Sequence, residues 1–153
     1  MIMKVNVKKL NENAVIPSYA KSGDAGLDLT ATSKFFDAYG NICYGCGLAF
    51  EIPQGYVGLV FPRSSVSNKQ ISLSNAVGVI DSGYRGEVVM KFKPSLALDS
   101  GQCVTEIHTY GNYNVGDRVA QMIIMPYPNI EFEESDELSE TERNDGGYGS
   151  TGV

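Results

Sequence analysis

The sequence predicts an all-β fold, a sandwich or barrel with a flexible C-terminal arm. Apolar and polar residues alternate with a period of two along most of the chain, as in half-buried strands. The apolar segments are short, and glycine, proline or asparagine separates most of them, as at 53–55 and 111–114. Many short strands separated by such turn residues are typical of sandwiches and barrels. Helical propensity is limited to a short segment at 64–70.

The strand pattern occurs at 2–8, 27–31, 48–52, 56–61, 71–74, 76–80, 87–92, 103–109, 118–125 and 130–132. The first of these segments alternates like a strand and lacks the cleavage pattern of a signal peptide. No apolar run approaches the roughly 20 residues that a membrane-spanning helix requires. We therefore expect a cytoplasmic protein with no membrane partner.

The composition and charge of the chain limit the classes of protein to which it can belong. The chain has 153 residues, of which 42% are hydrophobic and 20% are charged, as expected of one globular domain. A net charge of −6 and a pI near 4.7 argue against a broad basic patch for duplex nucleic acid. A small phosphorylated ligand remains compatible with this charge, because a few arginines and a bound cation can outweigh the average.

The C-terminal region differs in composition from the rest. Residues 131–142 are acidic and poor in apolar side chains, so we expect a domain at 1–133 and an arm at 134–153. The segment 143–152 combines glycines with Arg143, an aromatic residue and hydroxyl groups. A flexible terminus is one interpretation. The other is an arm that binds phosphate through glycine N–H groups, hydroxyl donors and the guanidinium.

The segment 78–87, Gly-Val-Ile-Asp-Ser-Gly-Tyr-Arg-Gly-Glu, predicts a β-hairpin with a functional tip. Its glycines allow a ligand to approach the main chain closely. Asp81 beside the ring of Tyr84 suggests a site for a small planar ligand and a polar reaction. Asp, Ser and Gly are also ordinary turn residues, so this segment alone leaves both interpretations open.

Three further segments have two interpretations each. Asp28, four residues after Asp24 across a glycine turn, is either part of a capped loop or an oxygen ligand for Mg²⁺. In Pro-Arg-Ser-Ser at 62–65, a serine either caps a short helix or belongs to an anion site with the arginine. Gln121 is either a core-edge amide or a group that positions water.

Cysteine spacing raises one alternative. Cys43 and Cys46 form a Cys-x-x-Cys pair, which Cys103 and His108 would complete as a Cys₃His zinc site. The pair also directly precedes a predicted strand, which favours small buried residues. The sequence contains no P-loop motif, and its single histidine is far from any Gly-x-Ser-x-Gly elbow.

Five segments, taken in order, resemble the five motifs of the homotrimeric dUTPases (deoxyuridine 5′-triphosphate nucleotidohydrolases). They are Ala-Gly-Leu-Asp-Leu at 25–29, Pro-Arg-Ser-Ser at 62–65, and the segments 78–86, 116–123 and 143–152. The resemblance implies a jelly-roll-like β-sandwich subunit and a homotrimer whose three active sites each take segments from all three chains. It also implies that the C-terminal arm closes over a site formed mainly by its neighbours.

The resemblance implies that water attacks the α-phosphorus of dUTP, giving dUMP and pyrophosphate, which keeps uracil out of DNA and supplies dUMP for thymidylate synthesis. Asp81 is then the general base and also binds the 3′-hydroxyl of the sugar. Tyr84 packs on the deoxyribose and excludes the 2′-hydroxyl of UTP. The uracil edge is read by Asn75 and by the main chain of Gly78, Val79 and Ile80.

The phosphate chain and the attacking water are assigned, by the same resemblance, to Arg63, Ser64, Ser65 and Gln121. Asp28 acts through water on a Mg²⁺ that the three phosphates clamp. In the arm, the groups implied to close over the nucleotide are Arg143, Tyr148, Gly149, Ser150 and Thr151, with position 148 stacked over uracil.

This chain departs from the family pattern at three places. Tyr148 stands where the arm usually carries phenylalanine, and the segment 93–114 is longer than in compact bacterial enzymes. The loop between Ser65 and Asn75 varies in length within the family, so the register of Asn75 is less firmly set than that of Asp81.

Two other functions would share sequence features with dUTP hydrolysis. A dCTP deaminase shares the fold and an Arg-Ser-Ser motif, but it needs an additional carboxylate near the base, and none is placed for this near 64–70. A nucleotide-gated binding protein would use 93–114 to contact a protein partner.

Overall fold

The structure, a computed structural model, describes residues 2–94, 98–99, 102–103 and 112–147. Its strands are β1 (Asn6–Lys9), β2 (Leu27–Thr30), β3 (Ser33–Phe36), β4 (Ile42–Gly45), β5 (Leu48–Glu51), β6 (Tyr56–Pro62), β7 (Ile71–Leu73), β8 (Gly78–Ile80), β9 (Val89–Pro94), β10 (Leu98–Asp99), β11 (Gln102–Cys103) and β12 (Arg118–Pro126). A short 3₁₀ helix, Ser64–Asn68, follows β6. No helix among the described residues is long and apolar enough to cross a bilayer.

The strands form two four-stranded antiparallel sheets and two ribbons. The first sheet has the order β2-β12-β6-β8 and the second the order β3-β4-β9-β7. β1 pairs with β5, and β10 pairs with β11. The predicted all-β fold is confirmed, and the short helical segment predicted at 64–70 is present as the 3₁₀ helix.

A single apolar core joins the two sheets. Leu29 and Met122 contribute from the first sheet, and Tyr44 and Phe92 from the second; all four are almost fully buried. The rings of Tyr44 and Phe92 meet edge to face with centroids 5.7 Å apart. Side chains from both inner faces fill the space between the sheets, which is the packing of a β-sandwich.

Three of the described strands, β3, β4 and β10, are absent from the sequence prediction, and one predicted strand is wrong. β4 is buried along its whole length, so it shows no alternation of apolar and polar residues. β3 exposes Phe35 and Phe36 on an edge strand. The predicted strand at 130–132 is wrong, because residues 127–147 contain no strand and are mostly exposed. Alternating apolar side chains do not by themselves make a strand, because a strand also needs a neighbouring strand with which to share backbone hydrogen bonds.

The hairpin predicted at 78–87 is also wrong. β8 pairs with β6 in the first sheet, whereas β9 pairs with β4 and β7 in the second. Residues 81–88 therefore cross from one sheet to the other instead of joining two paired strands. The crossing separates β8 from β9 and leaves a gap between them.

The turn between β3 and β4 is built around Asp37. Its Oδ1 accepts hydrogen bonds from the backbone N–H groups of Tyr39 (2.9 Å) and Asn41 (3.0 Å). Its Oδ2 accepts from the Asn41 amide (2.9 Å) and from Lys91 Nζ (3.0 Å). The Asn41 amide, and next to it the Lys91 ammonium and the backbone donors, hold the pKa of Asp37 well below its usual range.

We expect Asp37→Asn to destabilise the protein near neutral pH and to lose this effect in acid. A lowered pKa in the folded state adds stability above the unfolded-state value of 3.8, and this stability is lost as the pH falls toward the folded-state pKa. Denaturant unfolding at about pH 7 and about pH 2.5 measures the difference between wild type and variant at each pH. Asp24→Asn is the control, because Asp24 caps an exposed loop at Lys21 N–H. A difference that stays constant or grows in acid contradicts this account.

Candidate active site

Asp28 joins two arginines on the outer face of the first sheet. Arg63 Nε donates to Asp28 Oδ1 at 2.7 Å, and Arg118 Nη1 donates to Oδ2 at 3.0 Å. The Asp28 side chain is only 20% exposed, whereas that of Arg118 is 56% exposed. Because the carboxylate accepts from both guanidinium groups, it orients two positive charges toward one surface. Arg118 was not among the predicted site residues, although it is the one arginine of the segment 116–123.

Gln121 lies beside this group. The register places Gln121 on β12 opposite Asp28 on β2 and opposite Phe61 on β6, so the three side chains share one face. Its amide Nε2 donates to the carbonyl of Pro62 at 3.1 Å. A Cβ at Gly26 would collide with Gln121 Oε1, so glycine there lets the amide lie flat on the preceding loop. Gln121 is therefore held in place from two sides.

The serines of the 62–65 motif lie on the 3₁₀ helix. Arg63 occupies the N-cap position, and no side chain caps the helix, so the predicted serine cap is wrong. The first turn is closed instead by Val66 N–H donating to the Arg63 carbonyl at 2.9 Å. Ser64 is exposed, and Ser65 Oγ lies 2.9 Å from the hydroxyl of Tyr113. The serine hydroxyls are not used in capping.

A cavity of about 290 Å³ fills the gap between β8 and β9. Asn75 and the three residues of β8 contribute to its wall, together with residues of β6, β7 and β9. β8 is the edge strand of its sheet, so one side of its backbone is unpaired within the described strands. The cavity thus combines apolar side chains, a side-chain amide and main-chain donors and acceptors.

Tyr84 is folded back over the loop that follows β8. Its N–H donates to the carbonyl of Asp81 at 3.0 Å, and its hydroxyl donates to the carbonyl of Glu87 at 3.0 Å. A Cβ on Gly86 would come within 2.6 Å of Tyr84 Cζ, so only glycine leaves room for the ring in this position. Asp81 is exposed, and Tyr84 is 45% exposed. A carboxylate and a fixed aromatic face are therefore both presented to the surface.

The two groups of residues lie at opposite ends of β6. Ile80 pairs with Gly58, so Asp81 lies near the start of β6, whereas Arg63 directly follows its last residue. The register puts Asp81 level with Val57, six residues before Arg63, which is about 20 Å at roughly 3.4 Å per residue. Within the described residues of one chain, the two groups therefore do not form a single site.

The family model for dUTPase matches residues 12–152 of the chain. The chain belongs to the dUTPase family. The deoxyuridine 5′-triphosphate nucleotidohydrolase of Hydrogenobaculum sp. is 38% identical over 154 residues, which covers 99% of both chains. That of Finegoldia magna is 39% identical and covers 98% of this chain and 99% of its own.

Solved dUTPases have the same fold. The dUTPase of Staphylococcus bacteriophage 80alpha, solved with dUpNHpp, superposes with a TM-score of 0.80 at 29% identity and covers 98% of this chain and 99% of its own. A dUTPase variant from phage phi11 of S. aureus, described with a structural Mg(II) ion, has a TM-score of 0.73 at 28% identity. It covers 90% of this chain and 100% of its own.

The C-terminal motif of the dUTPase family is partly described in this chain. Arg143 is exposed, and its Nε donates to the carbonyl of Gly146 at 2.9 Å in a local turn. Tyr148, Gly149, Ser150 and Thr151 lie outside the described residues. The expected interaction segment 93–114 lies largely outside them as well, apart from its ends and the backbone of β10 and β11.

Two of the three cysteines, Cys43 and Cys46, lie in the core. Cys43 and Cys46 are both fully buried on or next to β4, and Cys46 Sγ lies 3.1 Å from the carbonyl of Val88. Burial raises the pKa of Cys46 to about 11 and also raises that of Cys43, so both thiols are protonated at neutral pH. His108 and the Cys103 side chain lie outside the described residues, so the Cys₃His alternative stays untested. Among the residues that are described, no three metal-ligating side chains cluster.

Proposed function

We propose that this chain hydrolyses dUTP to dUMP and pyrophosphate, by water attack on the α-phosphorus, at active sites shared between the subunits of a homotrimer. The observation that carries the proposal is the separation of two complementary groups by the length of β6. One group suits a base and a sugar, the other suits phosphates, and a second copy of the chain brings them together. Free, protonated thiols in the core support a cytoplasmic location.

The cavity between β8 and β9 is the proposed uracil pocket. Its volume of about 290 Å³ and its apolar walls suit a flat base. The Asn75 amide and the backbone of Gly78, Val79 and Ile80 supply donors and acceptors for the uracil edge. Tyr84, held over Gly86, presents its ring to the deoxyribose, where a 2′-hydroxyl would collide. This arrangement selects uracil and rejects ribose.

The group around Asp28 is the proposed phosphate site. Arg63 and Arg118 offer guanidinium groups already oriented by the carboxylate, which matches the bidentate geometry of phosphate oxygens. Ser64 and Ser65 add hydroxyl donors, and Gln121 orients the attacking water. Asp81 from another chain accepts a proton from that water as the general base.

The residues present fit a Mg²⁺ ion that is held mainly by the triphosphate. Mg²⁺ keeps several waters and takes one or two carboxylates together with substrate phosphates. Asp28 offers one carboxylate whose oxygens already accept from two arginines, which suits contact through water better than direct ligation. The ion would neutralise charge on the phosphate chain. Mg(II) is described in the dUTPase of phage phi11.

Exposed apolar surface supports the assembly into a trimer. A groove of about 510 Å³ is lined by Met3, Val5, Ile16 and other apolar residues of the N-terminal stretch and the first sheet. Ile2 is 92% exposed and Phe132 is 94% exposed. Side chains of this kind are normally covered in an assembly. We propose that 134–153 then extends as the arm that brings Arg143, Tyr148, Gly149, Ser150 and Thr151 over a neighbouring site.

A substrate comparison tests the proposal. We expect release of pyrophosphate from dUTP in the presence of Mg²⁺, and none from UTP, dTTP or dCTP, because the pocket selects uracil and Tyr84 excludes ribose. Product analysis by chromatography identifies dUMP. Formation of dUTP or dUMP from dCTP would assign the chain to the deaminases instead, and equal turnover of UTP would contradict the role of Tyr84.

A further inference from the structure

Tyr113 connects the core to the phosphate site. It lies just before β12 and is 2% exposed, yet its hydroxyl reaches Ser65 Oγ at 2.9 Å. Forty-eight residues separate the two side chains in the sequence, so no local pattern relates them. Ser65 is the only described hydrogen-bond partner of the Tyr113 hydroxyl.

The position of Tyr113 is set by several contacts. Its carbonyl accepts from Lys34 Nζ at 2.8 Å and from the Tyr44 hydroxyl at 3.0 Å. Its ring packs edge to face against Tyr44 and Phe92, with centroids 6.1 and 6.0 Å away. Backbone and ring are both held, so the hydroxyl has little freedom to move away from Ser65.

The charge above the ring favours Tyr113 as the donor. Lys69 Nζ lies 4.5 Å from the Tyr113 ring centroid. A cation at this position stabilises negative charge on the phenol oxygen, which strengthens its O–H as a donor. When Tyr113 donates to Ser65 Oγ, the serine proton points away from the core and toward the exposed side of the helix.

We propose that Tyr113 is a positioning residue, which holds the Ser65 hydroxyl in the orientation that donates to a phosphate oxygen of the substrate. This inference rests on the function proposed above, because Ser65 acts there as a phosphate ligand. Without the phenol, Ser65 can rotate and turn its proton toward the core. The hydrogen bond to the phosphate chain is then formed in only part of the molecules.

Two matched variants separate positioning from packing. Tyr113→Phe and Tyr44→Phe each remove one buried phenol hydroxyl from the same aromatic cluster, and only the first of these hydroxyls reaches Ser65. We expect Tyr113→Phe to lower kcat for dUTP about fivefold, the effect of losing one neutral hydrogen bond at the reacting group, with little change in KM. We expect Tyr44→Phe to lower kcat clearly less than Tyr113→Phe does, because Lys34 Nζ and the ring packing still hold Tyr113 when the Tyr44 hydroxyl is lost. Thermal melts establish that both variants are folded.

A double-variant cycle completes the test. In a Ser65→Ala background, Tyr113→Phe should cause no further loss of kcat, because the group that it positions is gone. Equal effects of the two phenylalanine variants, or a full additional loss in the Ser65→Ala background, would overturn the inference while leaving dUTP hydrolysis intact. Wild-type protein that does not hydrolyse dUTP would instead overturn the proposed function.

Discussion

Asp81→Asn is expected to lower the turnover of dUTP about a thousandfold, within the range attributed to a general base. The amide keeps the size of the side chain and its ability to bind the 3′-hydroxyl, but it cannot accept the proton of the attacking water. Asp81 is exposed on the loop that crosses between the sheets, so its replacement leaves the core untouched. The affinity for dUTP should therefore change little while kcat falls about a thousandfold.

Single-turnover kinetics with dUTP, together with the binding of a non-hydrolysable analogue, measure the two quantities separately. Asp136→Asn makes the same chemical change in the exposed acidic segment and should retain the wild-type rate. A kcat for Asp81→Asn within a few-fold of wild type would remove Asp81 from the role of base. A loss of analogue binding equal to the loss of kcat would make it a binding residue only.

Mixing two inactive variants is expected to restore activity. Arg63→Ala damages the phosphate group and Asp81→Asn the base-and-sugar group, which lie at opposite ends of β6. If a site takes the two groups from different chains, random trimers of an equal mixture contain about a quarter of sites with both groups intact. Activity should rise from near the detection limit to about a quarter of the wild-type value.

The variants are unfolded together and refolded as a mixture, and hydrolysis of dUTP is compared with that of each variant refolded alone. Asp81→Asn mixed with Tyr84→Ala is the control, because both residues lie on the same loop and every site stays damaged. Recovery in the control mixture would contradict the assignment of the groups. Failure to recover in the test mixture would place both groups of a site on one chain.

Most of the β-structure follows from alternation, and the exceptions have physical causes. β6 and β9 alternate because one face meets the core and the other does not. β4 is covered on both faces, so its sequence, Ile-Cys-Tyr-Gly, has no polar face to mark it. Segments 78–80 and 89–92 looked like partners because they are close in sequence, but each pairs with a strand that is far away in the chain.

The identities of the candidate site residues were predicted from the sequence, but the contacts between their side chains were not. The resemblance of five ordered segments identified Asp28, Arg63 and Gln121. The structure places Asp28 and Gln121 on the paired strands β2 and β12, and Arg63 directly after β6. The resemblance did not indicate that Asp28 would bind Arg118, or that Tyr113 in the core would contact Ser65. Such contacts depend on strand register and on the path of loops, which a motif does not encode.

The separation of the two groups along β6 has a consequence for assemblies that contain a defective chain. In the proposed trimer, each chain supplies the base pocket of one site and the phosphate ligands of another. A chain that is defective in both groups therefore disables about two of every three active sites in any trimer that it joins. An allele encoding such a chain would act dominantly over a functional copy, and the remaining activity would fall faster than the fraction of intact protein.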